Sequence, residues 1–155
     1  MTFPAYFFLG ALSLMLVVAM VTDLRSRIIP NLLNILIALA ALGWWLAMGF
    51  SGEQVVVQLV MATIVLILFA AAYAIGMMGG GDVKLLAALA LWFSLAQFLT
   101  ILVWMAIGGG ALTLAMIVQH RLRKLPGRPE IPYGVAIAGA ALLVLTNDIL
   151  TTAAA

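Results

Sequence analysis

Cysteine is absent from the chain, which excludes disulfides, thiolate zinc sites and cysteine nucleophiles together. Histidine occurs once, as His120, so no histidine-rich metal site can be assembled. Next to two arginines, it reads as an interfacial residue. Charge is also scarce: 8% of residues are charged, with five acids and seven bases, where soluble domains carry about a quarter. What fills the chain instead is apolar, 67% of its 155 residues, with a mean hydropathy of +1.30. A soluble domain of this size leaves much of its area exposed and could not hide so much apolar surface. Lipid must solvate most of the outside. The net charge of +2 and pI near 9.4 are accounted for by membrane topology, and no nucleic-acid partner is expected.

A helix needs about 20 apolar residues to cross a bilayer. Phe3–Thr22 satisfies this, and it has no basic residue ahead of it and no small-residue cleavage pattern behind it, so it reads as a retained span and not a signal peptide. A polar stretch, Asp23-Leu24-Arg25-Ser26-Arg27, follows. Pro30-Asn31 then open a second helix, proline being tolerated where its missing N–H is not needed. Ser51 with Gln54 three residues on resembles a capping box opening a third. Gly79-Gly80-Gly81 predicts a break, since each glycine costs roughly 1 kcal/mol in helix interior. Val83–Gln119 as one helix would be about 55 Å long, too long for one crossing, and is divided near Trp92–Gln97. His120–Glu130 reads as a polar loop. The expectation is an all-α, polytopic membrane bundle in a single domain over 1–155, with about six transmembrane helices near 3–22, 32–50, 53–76, 83–93, 96–119 and 131–150.

Positive charge collects on the cytoplasmic side of membrane proteins. With six crossings, Arg25 and Arg27, then Lys84, then Arg121, Arg123, Lys124 and Arg128 all fall on one side, which accounts for all seven basic residues. Both termini are then expected to face away from the cytoplasm. The same topology sorts the acids. Glu53 lies on the outer side in a first helical turn, where a carboxylate suits the helix dipole. Asp148 meets the outer interface, and Glu130 belongs to the solvated basic loop.

Asp23 and Asp82 remain, both at the membrane edge and on the same expected face. They can be read as interfacial carboxylates balancing Arg25, Arg27 and Lys84. Alternatively they converge and share one proton, because like charges a few ångströms apart cannot both ionise cheaply. The ionised partner could then take a proton from water while the protonated one polarises a peptide carbonyl. Three glycines before Asp82 would let a substrate backbone approach and would supply loop conformations that other residues resist.

Gly79-Gly80-Gly81-Asp82, with Lys84 two residues on, resembles the GxGD motif of membrane aspartyl proteases. Asp23 followed by Arg27-Ile28-Ile29-Pro30-Asn31 resembles the first-aspartate region of type IV prepilin peptidases, and Ile131-Pro132-Tyr133-Gly134 resembles the motif opening that family's last helix. The resemblance implies a bacterial inner-membrane endopeptidase whose substrates, the prepilins, carry a basic leader followed by a hydrophobic helix; it would remove the leader at the cytoplasmic face, with Asp23 and Asp82 as the catalytic pair. Larger family members carry a cysteine-bearing cytoplasmic insertion and an N-methyltransferase activity. Lacking both insertion and cysteine, this chain is similar to the short, peptidase-only members serving Flp-type (tight adherence) pili, which implies no S-adenosylmethionine, no metal and no other cofactor. Presenilin-like proteases share GxGD but use more helices. Because the cytoplasmic face is itself basic, the Arg121–Arg128 cluster is expected to meet anionic lipid headgroups and not the leader.

Outside these motifs, Asn31 and Asn34 read as capping residues of helix 2, and Gln58 and Gln97 as interhelical hydrogen-bond partners. Gly108-Gly109-Gly110 reads as close packing or a bend, and the tryptophans and methionines as lipid-facing or core filler. The competing reading is a non-enzymatic, ion-coupled transporter or channel subunit, since membrane carboxylates bind protons and cations and a broken helix can line a site. Against it, both aspartates sit at one edge and no inverted repeat is visible.

Overall fold

A computed structural model describes residues 3–123 and 131–154; the segment with Lys124, Arg128 and Glu130 lies outside them. The described residues form six helices and no strand: α1 Phe3–Ser26, α2 Asn31–Met48, α3 Gly52–Ala74, α4 Gly80–Leu89, α5 Leu95–Leu122 and α6 Tyr133–Ala154. All but α4 are long and apolar enough to cross a membrane, and their outer faces carry rows of exposed Leu, Ile and Val such as Leu32, Leu46, Ile67 and Leu114. Such continuous apolar surface needs lipid. The chain is a multi-pass membrane protein.

The expected break near Trp92–Gln97 exists: α4 ends at Leu89 and α5 begins at Leu95. Its cause is a second capping box, in which the Ser94 side chain accepts from the Gln97 N–H while the Gln97 side chain accepts from the Ser94 N–H. Ser51 and Gln54 form the expected one at α3. At 10 residues, α4 is only about 15 Å long, shorter than a membrane span. It is nevertheless the centre of the bundle, packed on α2, α3 and α6, with Leu85, Leu86, Leu89 and Ala90 fully buried.

The turn after α4 is tied to its neighbours in both directions: side chains of α2 and α3 reach its carbonyls, and its own Trp92 reaches a carbonyl of α2. The Trp45 indole N–H donates to the Leu91 carbonyl at 2.8 Å, the Trp92 indole to the Ile37 carbonyl at 2.9 Å, and the Gln58 amide to the Phe93 carbonyl at 3.2 Å. Two of the tryptophans are thus structural donors, not filler, and Trp44 stacks on Trp92 at 6.0 Å. Away from water a free carbonyl is costly, so these bonds let the chain turn inside the bundle. Gln58→Leu is expected to lower the thermal stability of the detergent-solubilised protein by about 1 kcal/mol, measured as a fall in melting temperature; an unchanged melting temperature would remove Gln58 from this role.

Two expected boundaries shift, both with consequences for the site. Helix 1 does not stop at Thr22 but runs to Ser26, with the Arg27 N–H bonding the Asp23 carbonyl at 3.0 Å. Arg25 in its last turn suits the negative end of the helix dipole. Likewise α4 starts at Gly80 and so contains Asp82, which was expected ahead of it. Both aspartates therefore project from helices, not from loops.

Candidate active site

Asp23 and Asp82 stand at one end of the bundle, 5% and 8% exposed. Together with Arg27, Ile28, Ile29 and Gly79–Gly81 they line one cleft of about 240 Å³. Each carboxylate is held at a helix N-terminus. The Val135 N–H, in the first turn of α6, donates to Asp23 Oδ2 at 3.0 Å, and the Gly134 N–H also acts on that carboxylate. Asp82 is the third residue of α4, and its carboxylate interacts with the N–H of Gly79, the residue that caps the helix. This is the reciprocal half of a capping box, visible in the sequence as an acid three residues after the helix start. Helix N-termini carry unpaired N–H groups and a partial positive charge, so both are places where a carboxylate is stabilised inside a bundle.

The two groups differ in what surrounds them. Asp82 lies in the first turn of α4, outside the five long spans. Burial, and then the negative charge of Asp23 nearby, push its carboxyl up to about 6, and the Gly79 N–H opposes this. Asp23 has the α6 N–H groups and the Arg27 charge beside it. Arg27 itself occupies the left-handed region at φ 56, a position that ends helices and usually takes glycine. There it terminates α1 one turn after Asp23 and turns the chain toward Pro30.

The glycines act through space, not through unusual dihedrals. Gly79 has φ −73, Gly80 and Gly81 are helical, and the described glycines with positive φ are Gly49 and Gly76. The expectation that Gly79–Gly81 adopt conformations other residues resist is thus corrected. A Cβ on Gly81 would lie 3.2 Å from Ile29 Cβ and 3.4 Å from the Ile29 carbonyl, and one on Gly79 would lie 2.9 Å from Asp82 Oδ2. The loop after α1 can press on α4 because Gly81 has no side chain. Gly134 does the same for Asp23: a Cβ there would stand 2.9 Å from the carboxylate and 2.7 Å from Ile29 Cδ1.

The remaining motif residues support this arrangement. Pro30 precedes α2 with φ −60 and makes no side-chain cap. Asn31 and Asn34 do not cap α2 but tie it to α4: Lys84 Nζ donates to Asn31 Oδ1 at 2.7 Å, and Asn34 Nδ2 donates to the Gly81 carbonyl at 3.2 Å. Asn34 was not among the candidate site residues, although it stands one turn after Asn31 on the same helix face. Pro132 precedes α6 and Tyr133 begins it, with the Tyr133 ring near Gly109. Of the glycines at 108–110 only Gly109 is a packing position; α5 runs unbroken through all three.

A larger cavity, about 480 Å³, lies at the other end of the bundle, lined by Glu53, Asp148, Trp44, Trp92 and Ser94 among others. Size does not select the site here, because this cavity holds neither buried carboxylate. Two of its polar groups have structural partners: Asp148 accepts from Gln97 at 3.1 Å and Gln58 holds the turn after α4. His120 lies half-buried in the last turn of α5. Among the described residues no group of three or more His, Asp or Glu converges to hold a metal ion.

What the arrangement offers chemically is two buried carboxylates on one small cleft with different supports for charge, the requirement for paired acid–base work. No curated protein and no solved structure is detectably similar to the chain. The sequence does match the type IV leader peptidase family over residues 10–114, a region that includes both aspartates and ends before Pro132. By that match, across most of its length, the chain belongs to the type IV leader peptidase family.

Proposed function

We propose that the protein is an aspartic endopeptidase that removes the basic leader of type IV, Flp-type prepilins, with Asp23 and Asp82 as its catalytic pair. The observation that carries this reading is the placing of two buried carboxylates, from the end of α1 and the start of α4, on one cleft. Asp82 is the acid of the pair, its carboxyl pushed up to about 6 by burial and by the charge of Asp23, so that a fraction of molecules carries the proton at neutral pH; Asp23, whose carboxylate accepts from the Val135 N–H, is the base. Asp23 takes a proton from water as the water oxygen attacks the scissile carbonyl carbon. Asp82 gives its proton to the carbonyl oxygen. As the tetrahedral intermediate collapses, the leaving nitrogen takes the proton now on Asp23, the C–N bond breaks and Asp82 recovers its own.

The site faces the cytoplasm of a bacterial inner membrane. Arg25, Arg27, Lys84, Arg121 and Arg123 all belong to helix ends on its side of the bundle, as the positive-inside rule requires. Anionic headgroups are the partners of this basic rim. In vesicles containing anionic lipid, the purified protein should convert a full-length prepilin to a product shorter by the leader. The new N-terminus should stay unmethylated with or without added S-adenosylmethionine, read by intact mass. A folded, reconstituted protein that leaves prepilin whole, or that moves protons or sodium in an aspartate-dependent flux assay, would refute the peptidase reading and favour a transporter.

A further inference from the structure

Beside the aspartate cleft a second cavity opens between α2 and α4. It has a volume of about 440 Å³ and is lined by Asn34, Ile35 and Ala38 of α2, by Lys84 and Ala87 of α4, and by Leu91 of the turn after α4. The two cavities share a wall. Lys84 follows Asp82 by two residues, and the Asn34 side chain grips the carbonyl of Gly81, which lines the aspartate cleft. From there the cavity follows α2 and α4 away from the site, with Ile35 about half exposed at its edge. Its middle is lined by alanines, the small side chains that let one membrane helix lie close against another.

Asn34 says what kind of occupant this is. The residue is 4% exposed, and its Oδ1 is buried without a hydrogen-bond partner. An acyl chain has no donor to offer it. A peptide does: the first turn of any helix has N–H groups with no partner inside the helix, and these are expensive to leave unpaired in lipid. We propose that the α2–α4 groove binds the apolar helix of the substrate, whose N-terminal end lies beside Asp82 and gives a first-turn backbone N–H to Asn34 Oδ1. This rests on the leader-peptidase reading and adds to it the surface that aligns the scissile bond. Ala38 and Ala87 are the contact points of the helix, and the Lys84–Asn31 hydrogen bond closes the end of the groove.

The absence of cysteine from the chain permits a direct test. Ala38→Cys, Ala87→Cys and, on the exposed face of α5, Val103→Cys are each placed in an Asp82→Asn background and reconstituted with a full-length prepilin bearing one cysteine in the first two turns of its apolar helix. Mild oxidation should give at least tenfold more mixed disulfide at positions 38 and 87 than at 103. Equal yields, no mixed disulfide at 38 and 87, or enzyme homodimers in place of it would overturn the proposal. In the active enzyme, Ala38→Phe should raise KM for the full-length prepilin at least tenfold more than it raises KM for a short peptide covering only the leader and the scissile bond. An equal change for both substrates, or a change for neither, would also overturn it. If the unmutated protein cleaves neither substrate, the peptidase reading fails, and the disulfide pattern still decides whether the groove takes a helix.

Discussion

Asp82→Asn is expected to abolish leader cleavage and, in the same molecule, to raise the melting temperature at pH 7.5. The loss of activity follows from the role proposed for Asp82. Asparagine has nearly the same shape, but its amide is a far weaker acid than a carboxylic acid and cannot replace the proton given to the carbonyl oxygen. Positioned acid–base groups contribute about 10²–10⁴ in rate, so processing should fall by about 10³ or more. Asp23→Asn should do the same through loss of the base, while its amide oxygen can still accept from Val135. The gain in stability has a different origin. The Asp82 carboxyl is pushed up to about 6 from an ordinary 3.8 by burial and by the charge of Asp23. A carboxyl raised in the folded state is ionised there only at a cost, and that cost is fully present above pH 6. It fades as pH falls from 6 through 4, and is gone near pH 3, where the group is protonated whether the chain is folded or not. The variant should therefore melt a few degrees above the unmutated protein at pH 7.5 and level with it near pH 3, in the same detergent. Normal processing by either asparagine variant would exclude the shared-proton mechanism. Loss of activity without the pH-dependent gain would put Asp82 in the reaction but not under the electrostatic load described.

The bundle was legible because lipid imposes one rule on the outside of every spanning helix. Runs such as Phe3–Thr22 and Glu53–Gly76 need no tertiary information to be read as helices, and their observed boundaries lie within a few residues of those expected. The short central helix was harder. Its length is set by Ser94 and Gln97, which repeat the pattern seen at Ser51 and Gln54; the same S-x-x-Q signal was available at both places. What no local pattern could supply is why the chain may turn at 90–94 inside the bundle. That depends on Trp45 and Gln58 reaching its carbonyls, and on its own Trp92 reaching the Ile37 carbonyl of α2, across 35 to 55 positions.

Both aspartates were legible as candidates, since topology set the other acids aside, but their setting was not. Polar residues after Thr22 look like the end of a helix, yet Arg25 and Ser26 continue it, and Asp23 becomes a rigid side chain in a last turn. The glycines before Asp82 look like a loop. They are instead the cap and first turn of α4, kept small because Ile29 and the Asp82 carboxylate crowd against them. The link between Asp23 and Val135 spans 112 positions. It had no sequence signal beyond the resemblance of Pro132-Tyr133-Gly134 to a family motif, and the match to the family ends at residue 114.

That link sets the second large effect. Gly134→Ala should leave the protein folded and reduce cleavage by about 10²-fold. Alanine is favoured over glycine inside a helix by up to about 1 kcal/mol, and Gly134 is the second residue of α6 with no positive φ to preserve. The added methyl meets only side-chain atoms, Ile29 Cδ1 at 2.7 Å and the Asp23 carboxyl group at 2.9 Å. Both can move, so the backbone need not. The displacement falls on the group whose position matters most: the Asp23 carboxylate is driven off the N-terminus of α6, losing the Val135 N–H and its alignment with Asp82. Misplacing a reacting group by about an ångström costs on the order of 10² in rate. The expected result is an unchanged or slightly raised melting temperature, with kcat reduced and KM for prepilin nearly unaltered. Gly109→Ala is the matched control, because its Cβ would meet Ala136 and Tyr133 at an ordinary 3.7 Å and no carboxylate. If Gly134→Ala cleaved at the full rate, Asp23 would not need its seat on α6, and Pro132-Tyr133-Gly134 would be only the start of a helix. If it unfolded, the contact at Gly134 would be structural before it is catalytic. A folded protein with low kcat is the outcome that ties the motif to the base.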